Sequence, residues 1–143
     1  MDENPPVISR VSTDECWNLL RRSGVGMLAT AAAGRPDLFP VNYLVDGRTL
    51  LFRSAPGTKV AALEVQPHAA FGAQSADDDG HWSIVIRGRI DMLTDQAEIV
   101  GSGALELVSW AAGSKRVFMR LTPDSVEGRR VASADYPSGA IYT

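Results

Sequence analysis

Cysteine is almost missing from this sequence: Cys16 stands alone. A single thiol excludes an internal disulfide and any cysteine-built metal site. Cys16 reads as a small buried hydrophobe on the apolar side of a helix, with a reactive thiol as the alternative. Lysine is nearly as scarce, standing only at 59 and 115, and the only histidines are His68 and His81. There is no basic excess either; the formal charge is −3 at pH 7. That balance argues against a nucleic-acid partner, so any anion site has to be local. No apolar run approaches the ~18 residues that a membrane span requires. The polar, proline-bearing start lacks the pattern of a signal peptide. The expectation is a cytoplasmic protein with no membrane partner. Nothing in the sequence has the makings of a Ser-His-Asp or Cys-His site. The adjacent carboxylates Asp77, Asp78 and Asp79 lack the alternating spacing of a calcium loop and read as a solvated turn, so no metal site is expected.

What is present suits one domain with a real core: 143 residues, 45% of them apolar. Residues 1–11 read as an N-terminal arm, 12–131 as the folded domain and 132–143 as a C-terminal tail. Ser12 and Glu15 have capping-box spacing. Cys16, Trp17, Leu19, Leu20 and Ser23 then share one side of a helix that ends at Gly24. Strands are expected over 25–33, 37–45, 49–54, 68–74, 81–94, 116–122 and 125–131, the last two parted by Pro123-Asp124. Helices are expected over 58–65 and from Asp95, the second with Val100, Ala104, Leu107 and Val108 on one stripe. In the strand over 37–45, Phe39, Val41, Tyr43 and Val45 point one way, and Leu38, Pro40, Asn42 and Leu44 the other. Pro40 cannot donate to a ladder, so that strand should be at an edge, interrupted or bulged there. In the strand over 81–94, Trp82, Ile84, Ile86, Ile90 and Met92 oppose Ser83, Arg87, Arg89 and Asp91, and Gly88 offers a bend or bulge. Short strands, hairpin turns and small helices predict a mainly β (α+β) fold, an antiparallel β-barrel with helices at its ends.

The stretch that organises the rest is Phe52-Arg53-Ser54-Ala55-Pro56-Gly57-Thr58-Lys59. It leaves a strand, turns on Pro-Gly and enters a helix. Free N–H groups at a helix start favour an anion, and Arg53 and Lys59 would add two charge-assisted donors suited to a phosphate. The alternative is an ordinary strand–turn–helix junction with two solvated cations. The spacing is not that of a Walker loop.

Several segments taken together carry a family resemblance. They are Val25-Gly26-Met27-Leu28-Ala29-Thr30, Gly34-Arg35-Pro36-Asp37-Leu38-Phe39-Pro40-Val41-Asn42-Tyr43, Phe52-Arg53 with Gly57-Thr58-Lys59, and Trp82-Ser83-Ile84-Val85-Ile86-Arg87-Gly88-Arg89. The sequence resembles the pyridoxamine 5′-phosphate oxidase-like, FMN-binding split-barrel family, in its short bacterial branch, over roughly residues 12 to 130. The resemblance implies a homodimer with FMN in clefts between the subunits. Carried over by position, Pro40, Val41, Asn42 and Tyr43 would lie along the flavin ring, partly through main-chain groups. Arg53, Ser54, Thr58 and Lys59 would cradle the phosphate. Trp82, Ser83 and Trp110 would come from the other subunit, and Arg87 and Arg89 are candidate positive groups near the ring. The chain is short for a pyridoxamine 5′-phosphate oxidase, and residues 132–143 do not resemble that enzyme's substrate-binding segment. The flavin site therefore carries over better than the vitamin B6 chemistry.

The function so implied is a flavin-dependent oxidoreductase acting on an unnamed small molecule. The alternatives are a reductase using the 8-hydroxy-5-deazaflavin coenzyme, a non-catalytic flavin-binding or regulatory dimer, and a barrel that binds nothing. His81 reads as a strand-start histidine or a substrate contact, and His68 as structural. Trp17, Trp82, Trp110 and the apolar side of 81–94 look like more than a small barrel buries alone, a second argument for an obligate dimer.

Overall fold

Alternation of apolar and polar residues along most of the chain produces strands with one buried face, and closing them on one another removes the sheet edges. The computed structural model describes residues 7–54, 57–104, 107 and 117–132, with the backbone only at Thr58. The elements in order are β1 (Ile8–Val11), α1 (Thr13–Arg22), β2 (Val25–Ala32), β3 (Arg35–Asp46), β4 (Thr49–Ser54), α2 (Thr58–Val65), β5 (His68–Asp77), β6 (Gly80–Leu93), α3 (Gln96–Ser102) and β7 (Val117–Ala132). The strands run in the order β1-β7-β4-β3-β2-β5-β6, and β7 also pairs with β6. Six strands thus close an antiparallel barrel, with β1 added along part of β7. This is the expected mainly β fold with small helices.

Inward positions of every barrel strand form one core, including Leu28, Tyr43, Phe52, Phe71, Ile84, Ile86 and Met119. Helix α1 plugs it with Cys16, Trp17, Leu19 and Leu20, as its spacing predicts. Ser12 caps that helix by accepting the Glu15 N–H. The helix sits tightly on β7: a Cβ added at Gly128 would run into Cys16 Sγ and stand 3.1 Å from Val11 Cβ. Burial, and secondarily the nearby Glu15, pushes the Cys16 thiol up, which keeps it protonated and unreactive. A second cluster of Leu51, Ile99, Ala104, Leu107 and Phe118 lies outside the barrel wall beside β4 and β7.

The structure departs from the sequence reading in several places. Residues 117–132 form one strand rather than two. Pro123 faces Gly88 and Ser125 faces Arg87, so Asp124 is the extra residue of a bulge. A Cβ at Gly88 would collide with the Thr122 carbonyl, which is why the bulge requires glycine there. Part of the N-terminal arm is structured, because Ile8–Val11 find open backbone groups on β7. Asp77 belongs to β5 rather than to a solvated turn, and its carboxylate pairs with Arg130 at 2.6 Å. In α3 the inward residue is Ile99, while Val100 is exposed. Pro40 sits in a continuous strand whose far side has no strand partner among the described residues, since β4 pairs with β3 only from Tyr43 onward. Tyr43 donates its N–H to Gly24 on the β2 side. By alternation position 40 faces away from β2, where the donor that proline lacks has no partner to serve. Trp17 and Trp82 are 1% and 3% exposed within one chain. Both tryptophans, and the apolar side of β6, are therefore buried without a second subunit, and that argument for a dimer falls. Trp110 lies outside the described residues.

Candidate functional site

The outward faces of β2, β3, β5 and β6 meet on one side of the barrel, and register fixes which residues are neighbours. One row runs Pro40–Met27–Gly72–Val85 across four strands. The next runs Leu38–Ala29–Ala70–Arg87. Beside the first row, Asn42 stands opposite Val25, and Gln74 opposite Ser83. This surface is apolar and open: Val25, Met27, Leu38 and Val85 are 49, 39, 59 and 37% exposed. A shallow concavity of about 370 Å³ lies over it, lined by Val25, Met27, Gly72, Gln74, Ser83 and Val85 among others. Gly72 is the lowest point of the Pro40–Val85 row. A Cβ there would touch only the Ile84 carbonyl oxygen at 3.9 Å, an ordinary contact, so nothing inside the barrel requires a glycine. What the missing side chain changes is the flatness of the floor outside.

The expected ring-binding residues divide by this geometry. Ser83 lines the concavity, and Pro40 and Asn42 flank it through Met27 and Val25. Val41, Tyr43 and Trp82 turn into the core, so only their main-chain groups face outward neighbours. Tyr43 donates its hydroxyl to the Leu20 carbonyl at 2.7 Å, and burial raises its pKa. Its ring packs edge-on against Phe71 at 5.1 Å. His81 is hydrogen-bonded to Gln74 at 3.1 Å, which holds that amide at the rim of the concavity.

The expected phosphate cradle also divides. Lys59, in the first turn of α2, lays its Nζ 4.0 Å from the centre of the Phe39 ring. It shares a concavity of about 340 Å³ with Thr30, Arg35, Asp37 and Ala62, at the β2–β3 hairpin end of the barrel. Arg53 points out of the wall on the side of Leu51 and Phe118 and donates from Nη1 to the Leu107 carbonyl. Its Nε is buried with no partner among the described residues. Lys59 and Arg53 thus face different groups. Ser54 ends β4 and is half-buried, and Thr58 opens α2.

Sequence reasoning missed Val25, Met27, Gly72, Gln74, Val85 and Arg35 as site residues. The available signal was apolar or small residues at outward strand positions, where charged ones are usual.

The arrangement is a flat apolar floor with a polar rim and, separately, a cationic hollow at the β2–β3 hairpin end that includes the buried Thr30. It fits a planar aromatic ligand carrying an anionic tail, and a flavin nucleotide has that shape and chemistry.

Comparison with known proteins agrees. The chain is 33% identical over 86 residues, 60% of its length and 78% of the relative's, to an uncharacterised protein of Mycobacterium tuberculosis. Its fold superposes with a TM-score of 0.79 and 25% identity on a candidate pyridoxamine 5′-phosphate oxidase of Corynebacterium glutamicum, covering 88% of this chain and 99% of that one. It superposes with a TM-score of 0.73 and 31% identity on an FAD-binding protein of Mycobacterium smegmatis, covering 87% and 98%. The family pattern described as pyridoxamine 5′-phosphate oxidase matches residues 12–130. The capped plug helix, the closed barrel and the open apolar face all fall within that match, and the chain belongs to the pyridoxamine 5′-phosphate oxidase family.

Proposed function

We propose that this protein is a cytosolic flavin-dependent oxidoreductase that holds FMN against the outer face of β2, β3, β5 and β6, where a second copy of the chain covers it. The observation that carries this reading is the flat, exposed apolar floor around Gly72 with Ser83 and Gln74 at its rim. An exposed apolar patch of this kind marks a ligand or partner surface. The flavin, when bound, supplies the hydride or electron chemistry. The chain's own residues do the rest. Met27, Val85 and the bare backbone at Gly72 give the ring a dry seat. Ser83, Gln74 and the Asn42 strand offer hydrogen-bonding groups at its edge. Lys59, with Arg35 beside it, offers the anionic tail a cationic end, and Arg53 is the further candidate from β4. Covering by a second copy excludes water and gives the exposed Val25, Met27, Leu38 and Val85 an apolar partner.

The test begins with the purified full chain. Bound flavin colours the solution, and heat release with chromatography separates FMN from FAD and from the deazaflavin coenzyme. FAD has its own motive, the M. smegmatis protein of similar fold being FAD-binding. Gly72→Leu should abolish flavin binding with little change in melting temperature, because a side chain at position 72 leaves on the outward face and its Cβ meets only the Ile84 carbonyl oxygen at 3.9 Å. Met27→Asp should halve the mass seen by light scattering. A Gly72→Leu protein that binds flavin as well as the unaltered chain would sink the proposed seat. A flavin complex that no nicotinamide donor reduces would favour a binding or regulatory role over turnover.

A further inference from the structure

A second cationic concavity lies one strand beyond the Ser83 rim of the apolar floor, since Arg129 and Glu127 stand opposite Ser83 and Val85. Among the described residues, the edge of β7 is unpaired between Leu121, the last residue paired to β4, and Gly128, the first paired to β1. In that gap is a hollow of about 520 Å³, walled by Arg10, Ser12, Thr13, Val126, Glu127 and Arg129 among others. Arg10 and Arg129 stand directly opposite one another on adjacent strands, so both guanidinium groups project from the same face of the sheet. Like charges in that relation destabilise a sheet. Neither arginine has a hydrogen-bond or ion-pair partner among the described residues. The nearby carboxylates are engaged elsewhere: Glu127 with Arg87 at 3.7 Å, Asp14 with Arg48 at 2.6 Å, and Glu15 with the Asn18 amide. Other arginines of the chain show the usual solution, Arg120 and Arg130 each meeting a carboxylate.

We propose that the Arg10–Arg129 pair is an anion site, taking the carboxylate or phosphate of a small molecule. An anion between the two guanidiniums replaces their repulsion by two charge-assisted, bidentate-capable contacts. The Ser12 hydroxyl, whose oxygen caps α1, and the Thr13 hydroxyl supply neutral donors in the same wall. The site is separate from the Lys59 end. Arg129 pairs with Ser83, whereas the Lys59 hollow lies by Thr30, whose row runs through Ala69 to Gly88. Ser83 and Gly88 are five positions apart on β6, about 17 Å at the usual strand rise. One phosphate cannot touch both ends.

The experiment titrates the flavin-free full chain with inorganic phosphate and with pyrophosphate, by calorimetry and by thermal shift. The proteins are the unaltered chain, Arg10→Gln/Arg129→Gln, Arg10→Lys/Arg129→Lys and Lys59→Gln. Phosphate binding should weaken at least about tenfold in the double glutamine variant and persist in Lys59→Gln. Without phosphate, the double glutamine variant should melt about 1 to 3 °C higher, because the repulsion is gone. The double lysine variant should keep the lower melting point and part of the affinity. Binding lost in Lys59→Gln and kept in the double glutamine variant would put the anion at the other end and overturn the proposal. So would unaltered phosphate binding in both, or a double glutamine variant that melts lower. Titrations with FMN and FAD identify the source. Unchanged affinities in the double glutamine variant mean a separate small anion, and a loss for FAD alone means that the cofactor's second phosphate supplies it. Because phosphate is measured without flavin, failure of the flavin reading leaves this result intact.

Discussion

Lys59→Ala and Arg53→Ala should behave differently, although the sequence presents the two residues as one cradle. Lys59 is exposed and its ammonium lies over the Phe39 ring at 4.0 Å. Truncating it removes an exposed cation–π contact, about 0.5–1 kcal/mol of folding stability. That corresponds to a melting shift of roughly 2 to 4 °C in a domain of this size. If Lys59 also holds the flavin phosphate, a charge-assisted hydrogen bond of about 1.5–3 kcal/mol is lost on binding, or roughly 10- to 100-fold in affinity. Arg53 donates to the carbonyl of the buried Leu107. Its truncation leaves that acceptor unsatisfied, about 1–3 kcal/mol. Arg53→Ala should therefore lose more stability than Lys59→Ala, together with any loss of FMN affinity. The assay is fluorescence titration of apoprotein with FMN and with riboflavin, which lacks the phosphate, beside thermal melts of both single variants and the double. Losses in melting temperature should add, since the residues face different groups. Losses in FMN affinity should be less than additive if one phosphate engages both. Riboflavin affinity should hardly change in Lys59→Ala. Equal weakening of both ligands would mean that these residues act through the fold. Equal destabilisation by the two single substitutions would refute the placement argument.

Other expectations concern the scaffold and the rim. Asn42→Ala, on the outward face opposite Val25, should shift the flavin absorbance or its affinity and leave the melting point within a degree or two; the reverse pattern would make Asn42 a structural residue. Gly128→Ala should destabilise markedly because the new methyl meets Cys16, and adding Cys16→Ala should recover part of the loss, measurable as a coupling in urea melts. The Asp77 carboxyl is held below its usual range, first by the hydrogen bond from Arg130. A depressed folded pKa means that its stabilisation is complete above the unfolded value of about 3.9 and fades as pH falls through the folded value. Asp77→Asn should therefore be less stable than the unaltered chain at pH 7 and indistinguishable from it near pH 2, and a difference that persisted in acid would exclude the ion pair as its cause.

The sequence by itself determined the barrel class, most of its strands along the chain and which side of them faces in. Strict alternation in 37–45 and 81–94 and the capped apolar stripe of α1 left little choice of which side faced in, and the structure buries Phe39, Val41, Tyr43, Ile84, Ile86 and the α1 stripe accordingly. An irregularity at Gly88 and a special strand position at Pro40 were legible because the steric needs of glycine and proline are local, although the extra residue of the bulge proved to be Asp124 and the strand through Pro40 is continuous. What only the tertiary structure decided depends on which strands become neighbours. Pairing puts Met27, Gly72 and Val85 from three separate segments in one row and makes a floor from residues that look unremarkable singly. Pairing also sets Arg10 against Arg129, more than a hundred positions away, and finds Arg130 for Asp77. The same closure buries Trp82 within one chain. Side-chain direction follows from the period-two pleat and is written in the sequence, whereas the register between distant strands is set by the summed packing of the whole barrel.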